Sequence, residues 1–168
     1  MKRRRPQSGA ALLETAMITP VLLLLLLGMT ELARVGYTYY TLQKIMFTLA
    51  RYVGTQQGVN FCDAGDPTVL AAKTLAITGT PDGSGTVLVR GLTADSINVR
   101  VERYSAVNTD LGTCDCSATG CDTAQGSRAP DFIVVDMPNG YEVQPIFPKL
   151  TVAPFVLRPS VRVPYGGT

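Results

Sequence analysis

The sequence predicts an α+β protein in which one long N-terminal helix, first membrane-spanning and then a stem, packs against a small antiparallel sheet. Three observations predict it. Residues 10–30 form an apolar run that holds a single charge, Glu14. Residues 32–53 carry apolar side chains at alternating spacings of three and four. From residue 86 onward, runs rich in β-forming residues alternate with turn residues.

The apolar run comes first. At about 1.5 Å per residue, residues 10–30 make a helix roughly 31 Å long, the thickness of a bilayer's hydrocarbon core. Residues 15–30 carry no charge, so Glu14 lies near one end of the span rather than at mid-depth. Lys2, Arg3, Arg4 and Arg5 stand just before the run, while only Arg34 and Lys44 follow closely, which places the N-terminus in the cytoplasm and the rest outside. A secretory signal peptide shares the basic start, but GMTELARVG after Leu27 offers only poor small-x-small cleavage sites and the apolar periodicity runs through it. A twin-arginine signal has the arginines and little else. Pro20 removes one helical hydrogen bond, which a membrane helix tolerates with a bend; a plain kink and a functional flexibility point are equally compatible with it.

These residues also carry a family signature. A short basic leader, then Gly9 followed by Ala10, Ala11, Leu12, Leu13 and Glu14, resembles the processing site of type IV pilins and pseudopilins. The longer string GAALLETAMITPVLLLLLLGMTELARV, within residues 8–36, is similar to the N-terminus of TadE-like proteins, the minor pilins or pseudopilins of tight-adherence (Flp) pili. Pro20, Val21 and the leucines at 22–27 occupy the family's Pro-Val-Leu-rich helix and favour the minor pilins over the major pilin. The resemblance implies a pilin-like fold and a leader of residues 1–9, cut between Gly9 and Ala10 by a prepilin peptidase. It further implies a single-pass protein of the bacterial inner membrane that acts in pilus assembly, and so in adhesion or secretion. Its implied partners are that peptidase, other pilin subunits and the proteins of the assembly platform. Glu14 and Pro20 would then serve assembly, with Glu14 pairing to an amino group freed on Ala10 of its own or a neighbouring subunit. Without the resemblance, Glu14 reads as an interfacial carboxylate reaching the headgroups.

Beyond the membrane the helix continues as an amphipathic stem over residues 31–54. Leu32, Val35, Tyr39, Leu42, Met46, Leu49 and Val53 form one stripe, with Arg34, Thr41, Thr48 and Arg51 on the other face. Such a stripe is more often domain core than a partner groove, and in an assembly both uses fit at different heights. Gly54 and Gly58 suggest its end.

Residues 55–168 then make an extracytoplasmic α+β domain. Asp66-Pro67 starts a second helix, with Asp capping free amides and Pro at the first helical position, and Gly79 with TPDGSG ends it. Strands are expected at 86–91, 97–107, 132–137, 141–147 and within 151–165. In the second, Ile97, Val99, Val101 and Arg103 point one way and Asn98, Arg100, Glu102 and Tyr104 the other. The prolines at 138, 145, 148, 154, 159 and 164 suit edges and loops.

Cys62, Cys114, Cys116 and Cys121 all fall on the outer side, where an even count favours disulfides. Three connectivities are possible; Cys116 with Cys121 and Cys62 with Cys114 is the one expected, pinning residues 108–130 as a loop. A four-thiolate metal site and a redox pair are less favoured, because neither spacing is CxxC.

Charge and composition narrow the function. The net charge of +2 comes from the leader, and the remaining 11 basic and 13 acidic side chains give no nucleic-acid surface. The chain has no histidine, no P-loop lysine in GTPDGSGT and no paired-carboxylate motif, so nothing supports an enzyme or a cofactor. The alternative to a pilin is a membrane-anchored module whose cysteine loop binds a ligand.

Overall fold

The computed structural model describes residues 8–105, 110–114, 116, 128–146 and 154–166. Residues 2–5 of the leader, Cys121 and Pro148 lie outside the described residues, as do parts of the expected loop at 108–130. The architecture is α+β, as the sequence predicts. Helix α1 runs unbroken over Ser8–Gly54 and α2 over Pro67–Thr78, followed by six strands. These are β1 (Asn98–Ser105), β2 (Asp110–Thr113), β3 (Phe132–Asp136), β4 (Tyr141–Val143), β5 (Phe155–Leu157) and β6 (Ser160–Pro164).

The main sheet is antiparallel with strand order β2-β1-β3-β6, and β4 pairs with β5 in a separate ribbon. One face lies on the upper part of α1, where Leu42, Ile45, Met46, Leu49, Ala50 and Val53 meet Val101, Ile133 and Val135 in one core. Each such aliphatic side chain removed from water contributes about 1.5–3 kcal/mol, so this contact holds the head to the helix. At its end, α1 comes close to the sheet. Gly166 N–H donates to the Gly54 carbonyl at 3.0 Å, and a Cβ on Gly54 would sit 3.4 Å from the Ile133 side chain.

Helix α2 forms for the expected reason. Oδ1 of Asp66 accepts from the amides of Thr68 and Val69 at 2.8 and 3.1 Å, and Pro67 follows. Oδ2 accepts from the Asn60 amide at 3.1 Å, so the same carboxylate also folds the loop that leaves α1. Gly79 closes the helix in the left-handed region, with φ 79°, and donates to the Leu75 carbonyl.

Four expectations are corrected. The stem stripe is not core along its whole length: burial begins at Leu42, while Leu32 and Tyr39 are exposed, because the apolar core of the head meets only the upper turns. Residues 86–91 are not a strand. Among the described residues no strand runs beside them; Leu88 N–H donates to Ile77 at the end of α2, and Val89 and Leu92 satisfy the apolar pattern by burial in the core. Within the expected loop at 108–130, residues 110–113 form β2, in register with β1 from Glu102↔Thr113 to Ser105↔Asp110. The expected Cys62–Cys114 and Cys116–Cys121 pairings are both overturned by a Cys62–Cys116 bond, across 54 residues, because β2 delivers Cys116 to the loop after α1. Cys114 is also disulfide-bonded. The prolines within reach fit their expected places, with Pro164 closing the edge strand β6.

Candidate functional site

The helix α1 divides into two environments, and the sequence-predicted site residues fall in the lower one. Gly9 and Ala10 lie in its first turn, both exposed, and a Cβ on Gly9 would meet nothing within 4 Å. Glu14 stands one turn above Ala10 on the same helical face. Among the described residues its carboxylate has no hydrogen-bond or ion-pair partner. An apolar helix offers it nothing to bind, so any pairing must come from a new chain end or from another molecule.

The span itself is apolar on every side. In its most apolar window the mean hydropathy is 2.2 and none of it is buried inside the molecule. Its few hydroxyls fold back on their own helix: Thr15 donates to the Ala11 carbonyl at 2.9 Å, Thr19 to Thr15 at 2.6 Å and Thr30 to Leu27 at 2.8 Å. That satisfies them without water, as a hydrocarbon environment requires. Pro20 sits inside the continuous helix.

Above the span, the side of α1 turned from the core carries aromatic as well as charged side chains. Tyr37, Tyr40 and Phe47 are exposed there, with Lys44 between them, at the 3-4-3 spacing of a helix-packing seam. Sequence reasoning named Arg34, Thr41, Thr48 and Arg51 for this side and passed over the aromatics. Their signal was a second apolar stripe offset from the first.

The sheet's outer face holds a further feature that sequence reasoning missed. Glu102 accepts from Arg100 at 3.2 Å and pairs with Arg162, while Arg100 Nε donates to Asp136 at 2.9 Å. Glu102, on the strand side expected to be polar, is therefore buried, with 8% of its side chain exposed. The registers Arg100↔Val134 and Val134↔Arg162 put the two guanidiniums on either side of Val134, and Arg162 also lies over the Phe132 ring at 5.5 Å. This lattice ties β1, β3 and β6 together. A buried carboxylate between two arginines, with Asp136 on the far side of Arg100, is a structural clamp.

Among the described residues no group of three or more His, Cys, Asp or Glu side chains has the arrangement to hold a metal ion. Cys62 and Cys116 are joined to each other and Cys114 is disulfide-bonded, so none of these three is a free thiolate for the alternative metal site.

These features define a class: a membrane-length apolar helix whose upper turns are the core of a small α+β head. Residues 9–51 match the family model described as TadE-like protein, so this helix carries the TadE-like signature. No curated protein and no solved structure matches the chain, and the head beyond residue 51 is described by its own geometry.

Proposed function

We propose that this chain is a minor pilin or pseudopilin of a Tad-type (Flp) pilus. It enters the inner membrane with residues 1–9 in the cytoplasm, spans it over residues 10–30 and holds its head outside. A prepilin peptidase trims it after Gly9, and the subunit then packs laterally through α1, against other subunits and the assembly platform. The observation that carries this reading is the unburied apolar span, continuous with the core of the head and bearing a partnerless carboxylate at Glu14. A tether needs apolar length alone; a carboxylate one turn above Ala10 adds a place for a freed amino group.

The work done is packing and pairing rather than turnover. Ala10 and Glu14 are four residues apart, within one helical turn, so an Ala10 ammonium reaches the Glu14 carboxylate of its own or an adjacent helix. In low dielectric such a pair also fixes the vertical register of neighbouring helices.

The test is co-expression with a matching prepilin peptidase, followed by N-terminal sequencing. A mature chain beginning at Ala10 supports the reading; an intact Met1 or a cut after Thr30 overturns it. Gly9→Val blocks trimming, whereas Glu14→Ala leaves trimming intact and impairs assembly. Replacing residues 10–30 with an unrelated anchor abolishes function if the helix packs, and preserves it if the chain is only a tethered binding module.

A further inference from the structure

Just above the expected span, a groove of about 680 Å³ opens between α1 and the β4 ribbon. Arg34 and Thr38 line it from α1, Arg90 and Ser96 from the segment before β1, and Glu142 from β4. Arg34 is four residues beyond Thr30, about 6 Å along the helix axis, which is the depth of the headgroup layer. Its guanidinium lies only 3.7 Å from Glu31 and is 41% exposed. The Arg90 side chain is exposed and has no partner among the described residues, while its carbonyl accepts from the Tyr141 hydroxyl at 2.7 Å.

An apolar side chain, Ile146, stands beside this charge. Glu31 accepts from the Ile146 amide at 2.5 Å, which holds the chain after β4 against the foot of the stem. Ile146 is 51% exposed, at the level where a bilayer begins. Arginines facing a polar groove, with the bare Ile146 side chain below them, match an amphiphile's layering from headgroup to acyl chain.

We propose that this groove binds the headgroup of a phospholipid from the leaflet next to the head. Arg34 and Arg90 hold the phosphodiester, and Glu142 holds a headgroup ammonium. With Glu31 beside Arg34, two guanidiniums and two carboxylates are neutral overall, which suits a zwitterionic headgroup better than a free polyanion. The Glu142 carboxylate selects a headgroup with a primary ammonium, phosphatidylethanolamine, over phosphatidylglycerol. The placement rests on α1 crossing the membrane.

The experiment is native mass spectrometry of the full chain in detergent, titrated with phosphatidylethanolamine or phosphatidylglycerol. The wild type retains phosphatidylethanolamine most; Arg90→Gln lowers that retention about five-fold or more, and Glu142→Gln makes the two lipids equal. Arg51→Gln, an exposed arginine outside the groove, changes neither. Equal retention by wild type and Arg90→Gln overturns the proposal, as does a wild-type preference for phosphatidylglycerol. Displacement of the lipid by millimolar inorganic phosphate also overturns it, in favour of a free-anion site. If α1 does not span the membrane, alkaline carbonate releases the chain from membranes whatever the lipid result, so the two failures are told apart.

Discussion

Leu24 and Leu49 belong to the same helix, yet Leu24 is 67% exposed and Leu49 is 0% exposed. Up to Thr30 the apolar side chains of α1 point in every direction and none is buried; from Leu42 upward one stripe is covered and the other faces carry Lys44, Phe47, Thr48 and Arg51. The difference identifies the solvent of each half. A helix apolar all round is matched to lipid, and a striped one to a protein core on one side and water on the other. One continuous helix thus couples the position of the head to whatever the span packs against, with no linker to absorb a movement.

The comparison is broken most strongly at its upper half. Leu49→Ala leaves a cavity between helix and sheet and lowers the stability of the head by about 2–5 kcal/mol in urea unfolding of the full chain in micelles. Leu24→Ala, the same chemical change in the lower half, leaves that unfolding midpoint where it was; an equal loss would mean that the span belongs to the head. Replacing Cys62 and Cys116 together by Ser removes a crosslink across 54 residues and costs about 2–4 kcal/mol on the same scale. Asp66→Ala removes the cap of α2 and frees the loop below it, a loss of about 1–2 kcal/mol that should spare α1.

The smallest effect is one of pH. Hydrogen bonds from the Ser84 side chain, then from Thr80 and the Ser84 amide, hold the Asp82 carboxyl below its ordinary value of 3.8. A depressed value in the folded state means stability that is present above 3.8 and lost as pH falls through the lower folded value. Asp82→Asn should therefore flatten the acid limb of the head's stability slightly and change nothing at neutral pH; a change at neutral pH would mean that the turn is held some other way.

The parts legible in the sequence are those whose cause is local. The span follows from residues 10–30 and the thickness of a bilayer, α2 from Asp66-Pro67 and Gly79, and β1 and β3 from alternating apolar side chains. The TadE-like string was legible because its residues are contiguous. What escaped depends on partners distant in sequence. DLGT has poor strand composition and becomes β2 only because β1 offers it a register. VLVRG has good strand composition and remains a loop because α2 takes its one helix-directed amide bond and the core takes Val89. Glu102 looked like a surface charge until Arg162, sixty residues on, covered it.

The sequence by itself determined where the chain is apolar, with what period, where its helices start and stop, and that a carboxylate stands one turn above Ala10. These follow from side-chain transfer energies, helix geometry and caps, which act over a few residues. Only the tertiary structure decided that the core stripe begins at Leu42, that Cys62 meets Cys116, and that Arg34, Arg90 and Glu142 share one groove. Those outcomes depend on which remote segments the sheet brings together, a property of strand order and register that no local pattern encodes.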